Sequence, residues 1–107
     1  MQVANHAVAE EFPRRHILEP FDPREAILVA EAALMAGISG STVRLWCDKF
    51  GIGRPVGGRF KISRVALRML LDGDRIALAA YHSGDCEDPR VLSYFQRCGV
   101  PIAGGTD

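Results

Sequence analysis

The chain has 107 residues, 48 % of them hydrophobic, and its 13 basic residues balance 13 acidic ones. That length suits one domain, the apolar share excludes wholesale disorder, and no apolar run approaches the ~20 residues of a membrane-spanning helix. A net charge of zero is not the balance of a protein built entirely to sit on phosphates, so any nucleic-acid face has to be a local one.

The opening "MQVANHAVAEEF" lacks the basic start and apolar block of a secretory signal. The three cysteines, Cys47, Cys86 and Cys98, form no CxxC pair and leave one odd. Reduced thiols fit this better than a disulfide framework, so a cytoplasmic, nucleoid-associated location is expected, with no membrane partner. Residues 1–21 show no periodicity and read as a flexible arm. "DPRE", Asp22 to Glu25, then has the marks of a helix start: an Asp cap, a first-turn Pro and a Glu three residues after the cap. The run "AILVAEAALMA" extends to Gly37, where a helix would end. It reads either as one helix over 23–36, or as a single turn, a short strand "ILV" and a helix from about Ala30; Ile27 and Val29 favour a strand.

After the tight turn "GISGST", Ser39 or Ser41 can cap a second helix that runs to Phe50. Val43, Trp46, Cys47 and Phe50 recur at spacings of three and four and share one face, which makes Trp46 a core residue rather than a base-stacking platform. In "GIGRPVGGRFKIS" the period changes, and the Gly pair signals a two-residue hairpin turn decorated by Arg54, Arg59 and Lys61. Ser63 caps a third helix with Val65, Ala66, Met69 and Leu70 as its stripe. Asp74 caps a short fourth, and Asp88 with Pro89 opens a last one before Gly99. The domain is thus expected over 22–73, a C-terminal helical extension over 74–99 and a tail over 100–107. The apolar stripe of the last helix, Val91, Leu92, Tyr94, Phe95 and Cys98, either folds back on the core or pairs with another copy. Val91, Leu92, Tyr94 and Phe95 are accordingly candidate oligomerisation residues, for a homodimer or a cooperative multimer on DNA.

Charge is unevenly spread. From Gly40 to Arg68 stand Arg44, Lys49, Arg54, Arg59, Lys61, Arg64 and Arg68 against the single acid Asp48, a local +6 that leaves −6 for the remainder. Lys49 and Lys61 are the only lysines, so most of the 13 basic residues are arginine, which forks onto phosphates and guanine edges. A solvated charged face is the plainer account of that window. The spacing argues further. A helix-turn-helix needs a small residue where its helices cross (Ala33), a positive-φ residue four positions on (Gly37), an apolar plug (Ile38), and core residues six and nine past the glycine (Val43 and Trp46). All five are in place. The second helix would then expose Ser41, Thr42, Arg44, Leu45, Asp48 and Lys49 to a major groove. Asp48 would either accept from a cytosine amino group or be held by Arg54.

The segment "EAALMAGISGSTVRLWCDKFGIGRPVGGRFKISRVALRMLL" resembles the small winged helix-turn-helix DNA-binding domain of phage and plasmid excisionases and their MerR-like relatives, over roughly residues 27–71. The resemblance implies a mainly α fold with a small β-hairpin, the winged helix-turn-helix, here with additional C-terminal helices. It implies architectural or regulatory binding to double-stranded DNA without catalysis or cofactor. Ser41, Thr42, Arg44 and Lys49 become groove and phosphate contacts, and Arg59 with Lys61 the contacts of the wing. Arg54 joins them as a basic residue of the same ribbon. The chain departs from the family where Leu28 and Val29 replace the usual Ser, Thr or Pro.

Other chemistry is weakly supported. His82, Cys86 and Cys98 have irregular spacing for a metal site. Ser39, Ser41, His82 and Asp85 make no catalytic triad, and no Lys-Ser or Lys-Thr closes "GIGRPVGG" into a phosphate loop. The competing expectation is a protein-interaction module on the same fold, such as a phage-type DNA-packaging small subunit or an adaptor docking on a recombinase or an RNA polymerase.

Overall fold

The computed structural model describes residues 17–19, 21–85 and 87–101. Among them five helices and a three-stranded antiparallel sheet follow in the order β1 (Ala26–Ile27), α1 (Val29–Ala36), α2 (Gly40–Phe50), β2 (Gly53–Val56), β3 (Arg59–Ser63), α3 (Arg64–Leu71), α4 (Arg75–Ser83) and α5 (Pro89–Arg97). The class is mainly α with a small hairpin. No helix of the described residues is long and apolar enough to cross a membrane.

Of the two readings of 23–36, the structure takes the one with a strand, but at Ala26–Ile27 instead of "ILV", with Val29 already in α1. Asp22 caps a single turn: its carboxylate accepts the Arg24 N–H at 2.8 Å, and its carbonyl accepts those of Glu25 and Ala26. The helix goes no further because β3 offers the next residues a ladder. Ala26 lies opposite Ser63 and Ile27 opposite Ile62, and the Arg64 N–H donates to the Glu25 carbonyl at 2.9 Å. Two β-type pairs with a buried Ile27 outweigh local helix preference. α1 therefore starts after Leu28, which provides no side-chain cap, and ends at Gly37 with φ 71°.

Ser39, not Ser41, caps α2, accepting from the Thr42 N–H at 3.2 Å. The ribbon turns at Gly57 and Gly58, both at positive φ, so Val56 meets Arg59 across a two-residue loop. Its base depends on a glycine that local pattern does not single out. A Cβ on Gly53 would lie 2.6 Å from the Lys61 carbonyl oxygen and 3.1 Å from Cys47 Sγ. Gly53→Ala is expected to cost about 1–3 kcal/mol in urea unfolding, the range of overpacking. Gly40→Ala, which meets only a Val29 methyl at 3.3 Å, should change the midpoint far less.

α3 is buried almost all round. Val65, Ala66, Leu67 and Met69 are fully enclosed and Leu70 is half-buried, because β3, α1, α4 and α5 all pack against it. Asp74 caps α4, and Asp88 with Pro89 opens α5. The last stripe folds back. Val91, Tyr94 and Phe95 are buried within the same chain, Tyr81 and Phe95 meet edge to face at 5.4 Å, and Tyr94 donates to Asp72 at 2.8 Å. The proposed oligomerisation face is thus spent on the core, and of its four residues only Leu92 is exposed. Residues 74–99, expected as an extension, belong to the same core as the hairpin.

The arm also ends earlier than its lack of periodicity suggests. Ile17 and Leu18 are fully buried, with Leu18 at φ 62° and its N–H on the Tyr81 hydroxyl at 3.1 Å. Residues 1–16 and 102–107, most of the expected arm and tail, lie outside the described residues.

One carboxylate joins these parts. Glu25 is buried, and its Oε2 accepts from Ser63 Oγ at 2.5 Å and from the Tyr81 hydroxyl. Burial raises its pKa above the ordinary 4.5, against the lowering effect of those two donors. Between 4.5 and that raised value the native state keeps a proton the unfolded chain has released, so stability falls as pH rises through that window. Glu25→Gln is expected to flatten that slope, as read from urea midpoints at a series of pH values; an unchanged slope would refute the assignment to Glu25.

Candidate nucleic-acid interface

The outer side of α2 carries Ser41, Arg44, Leu45, Asp48 and Lys49, all exposed, while Val43 and Cys47 are fully buried and Trp46 and Phe50 half-buried against the core. The fully enclosed partner of Val43 is thus Cys47, with Trp46 at the margin. Ser39 Oγ lies 3.2 Å from Ser41 Oγ and 3.0 Å from Thr42 Oγ1, so the two candidate hydroxyls at the start of α2 are tied to the cap that starts it.

Arg44 stands at the centre of the arrangement. It lines an open hollow with Val29, Ala30, Ala33, Leu34, Gly37, Ile38 and Gly40. It lines a second with Leu28, Val29, Ala30, Phe60 and Arg59. The second hollow brings an arginine of α2, an arginine of β3 and the first turn of α1 onto one surface. These three lie apart in sequence and meet because β3 pairs with β1, which leads directly into α1. Leu28 leaves the amino end of α1 without a side-chain acceptor, and the acid of its first turn, Glu31, already supplies negative charge there.

Of the other candidates, Lys49 is exposed, its Nζ 5.8 Å from the Phe50 ring centroid. Lys61 is half-buried, opposite Arg54 in the hairpin. Arg54 is corrected. Its Nε donates to the Ile17 carbonyl and an Nη to that of Leu18, both at 2.8 Å, with Glu19 at 3.9 Å. It fastens the segment 17–19 to the hairpin, with Nε and one Nη of its fork committed to those carbonyls. The +6 window is also divided. Arg64 and Arg68, half-buried on α3, act with Arg97 to lower the pKa of Cys98, which burial raises more strongly, and so belong beside α5. Arg44, Lys49, Arg59 and Lys61 remain on the helix and hairpin.

Two supporting residues carry no signal in the sequence. His82, buried on α4, donates from Nε2 to the Phe50 carbonyl at 3.1 Å, and the Arg75 guanidinium lies 4.8 Å from the Phe50 ring centroid. Together they hold the carboxyl end of α2 against α4, a contact between residues more than twenty positions apart. Among the described residues no group of three His, Cys, Asp or Glu is placed to hold a metal ion, and Cys86 lies outside them. No protein-family model matches the chain, and no curated protein or solved structure matches it significantly.

Proposed function

We propose that this chain is a non-enzymatic, sequence-specific DNA-binding protein built on a winged helix-turn-helix, acting as an excisionase-like architectural factor or a small transcription regulator. The observation that carries the reading is the hollow that Arg44 of α2 and Arg59 of β3 line together beside the start of α1. A duplex seated there would take α2 in its major groove and the hairpin on the flanking backbone. Phosphate contacts position such a complex, and the side chains of the outer face of α2 specify it. The test is a gel shift with a pool of random duplexes at low salt, wild type against the Arg44→Ala, Arg59→Ala double variant. Selective retention by the wild type and weakened retention by the variant are expected; a wild type that binds no duplex would overturn the reading.

A second reading rests on a different observation. Leu34 is 85 % exposed beside the largely apolar hollow between α1 and α2, which suits a protein partner such as a recombinase or an RNA polymerase. Leu34→Ser separates the two: an adaptor would lose its partner, whereas a DNA reader would retain its affinity for duplex. Deletion of α5 cannot serve for this purpose, because its buried side chains are part of the core.

A further inference from the structure

We infer that Leu45 determines specificity on this face by packing against the C5 methyl group of thymine, an inference that rests on the DNA-binding reading above. Leu45 is 58 % exposed on the outer side of α2, one turn after Ser41 and one turn before Lys49, with Arg44 and Asp48 on its flanks. Each of those four neighbours is polar and exposed. Core packing does not account for the leucine, because α2 reaches the core through Val43, Trp46, Cys47 and Phe50. An isolated exposed leucine is ordinary on a protein surface. This one stands between Arg44 and Lys49, exposed cations that favour the approach of a polyanion. It lines neither hollow, whereas Leu28 and Leu34 do, so it is not an extension of the apolar surface between α1 and α2.

The groove supplies the matching chemistry. Base edges in the major groove offer nitrogen and oxygen donors and acceptors, and the thymine methyl is the apolar group among them. A branched aliphatic tip flanked by a guanidinium and a carboxylate fits a short edge in which thymine adjoins bases read by hydrogen bonds. Leu45 confers preference for thymine over uracil, which differs only by that methyl.

The experiment selects duplexes with the full-length protein, then replaces each thymine of the selected site by uracil. Wild type is expected to lose about fourfold in affinity at one or two positions, the effect of one buried methyl, and Leu45→Ala to bind thymine and uracil forms alike. Because Leu45 lies outside the core, the variant folds; its circular dichroism and urea midpoint verify this. A wild type that binds its selected site yet tolerates uracil everywhere overturns the inference and leaves the DNA-binding reading standing. The same holds if Leu45→Ala keeps the wild-type preference. A wild type that selects no duplex overturns both.

Discussion

Phe95→Ala is expected to destabilise the protein by about 3–5 kcal/mol, the range for removing a buried aromatic ring. A domain of this size has only about 5–15 kcal/mol to lose. Phe95 is 5 % exposed and meets the ring of Tyr81 edge to face, and the Tyr81 hydroxyl serves both Glu25 and the Leu18 N–H. Loss of the ring therefore leaves a cavity beside the contact that joins α4 to the turn before β1. Urea unfolding of Phe95→Ala and Leu92→Ala beside the wild type reads the effect. Leu92, at the surface, should change the midpoint little. Should Phe95→Ala keep the wild-type midpoint while halving the mass seen by light scattering, the stripe is an interface after all.

Arg59→Ala and Arg54→Ala should affect DNA binding differently, although the two arginines sit on paired strands. Under the proposed function Arg59 contacts a phosphate. Its removal should weaken binding to all duplexes and lower the slope of log affinity against log salt by about 0.9, one phosphate's share. Arg54 holds the carbonyls of Ile17 and Leu18. Its replacement should lower stability, since the carbonyls of two buried residues lose a charged hydrogen-bond partner, at about 1.5–3 kcal/mol for a bond of that kind. The salt slope should stay at the wild-type value. A slope reduced equally in both variants would return Arg54 to the DNA contacts, and one unchanged in Arg59→Ala would remove Arg59 from them.

Local signals dominated where local physics does. The caps at Ser63, Asp74 and Asp88, the positive-φ stop at Gly37 and the glycine pair of the hairpin each need only a few neighbouring residues, and their residue types announce them. The exposed row on α2 follows equally from the spacing of Val43, Cys47 and Phe50, since a period of 3.6 assigns both sides of a helix at once. Arg54 had no such signal. A guanidinium beside a glycine-tipped turn looks like its neighbour Arg59 until the segment 17–19 comes back across the fold.

The sequence by itself determined the mainly α class, the hairpin, the caps of α3, α4 and α5 and the outer face of α2, because hydrogen bonds within a turn or a helix set them. Only the tertiary structure decided that 26–27 is a strand and not the second turn of a helix, because its partner β3 lies more than thirty residues away. The same holds for the stripe of α5. Periodicity shows that Val91, Tyr94 and Phe95 need cover, but the choice between the chain's own α3 and α4 and a second copy depends on packing. It holds too for the cations: composition counts seven in one window, and the pairing of β3 with β1 brings Arg44 and Arg59 to one hollow while α3 carries Arg64 and Arg68 toward Cys98.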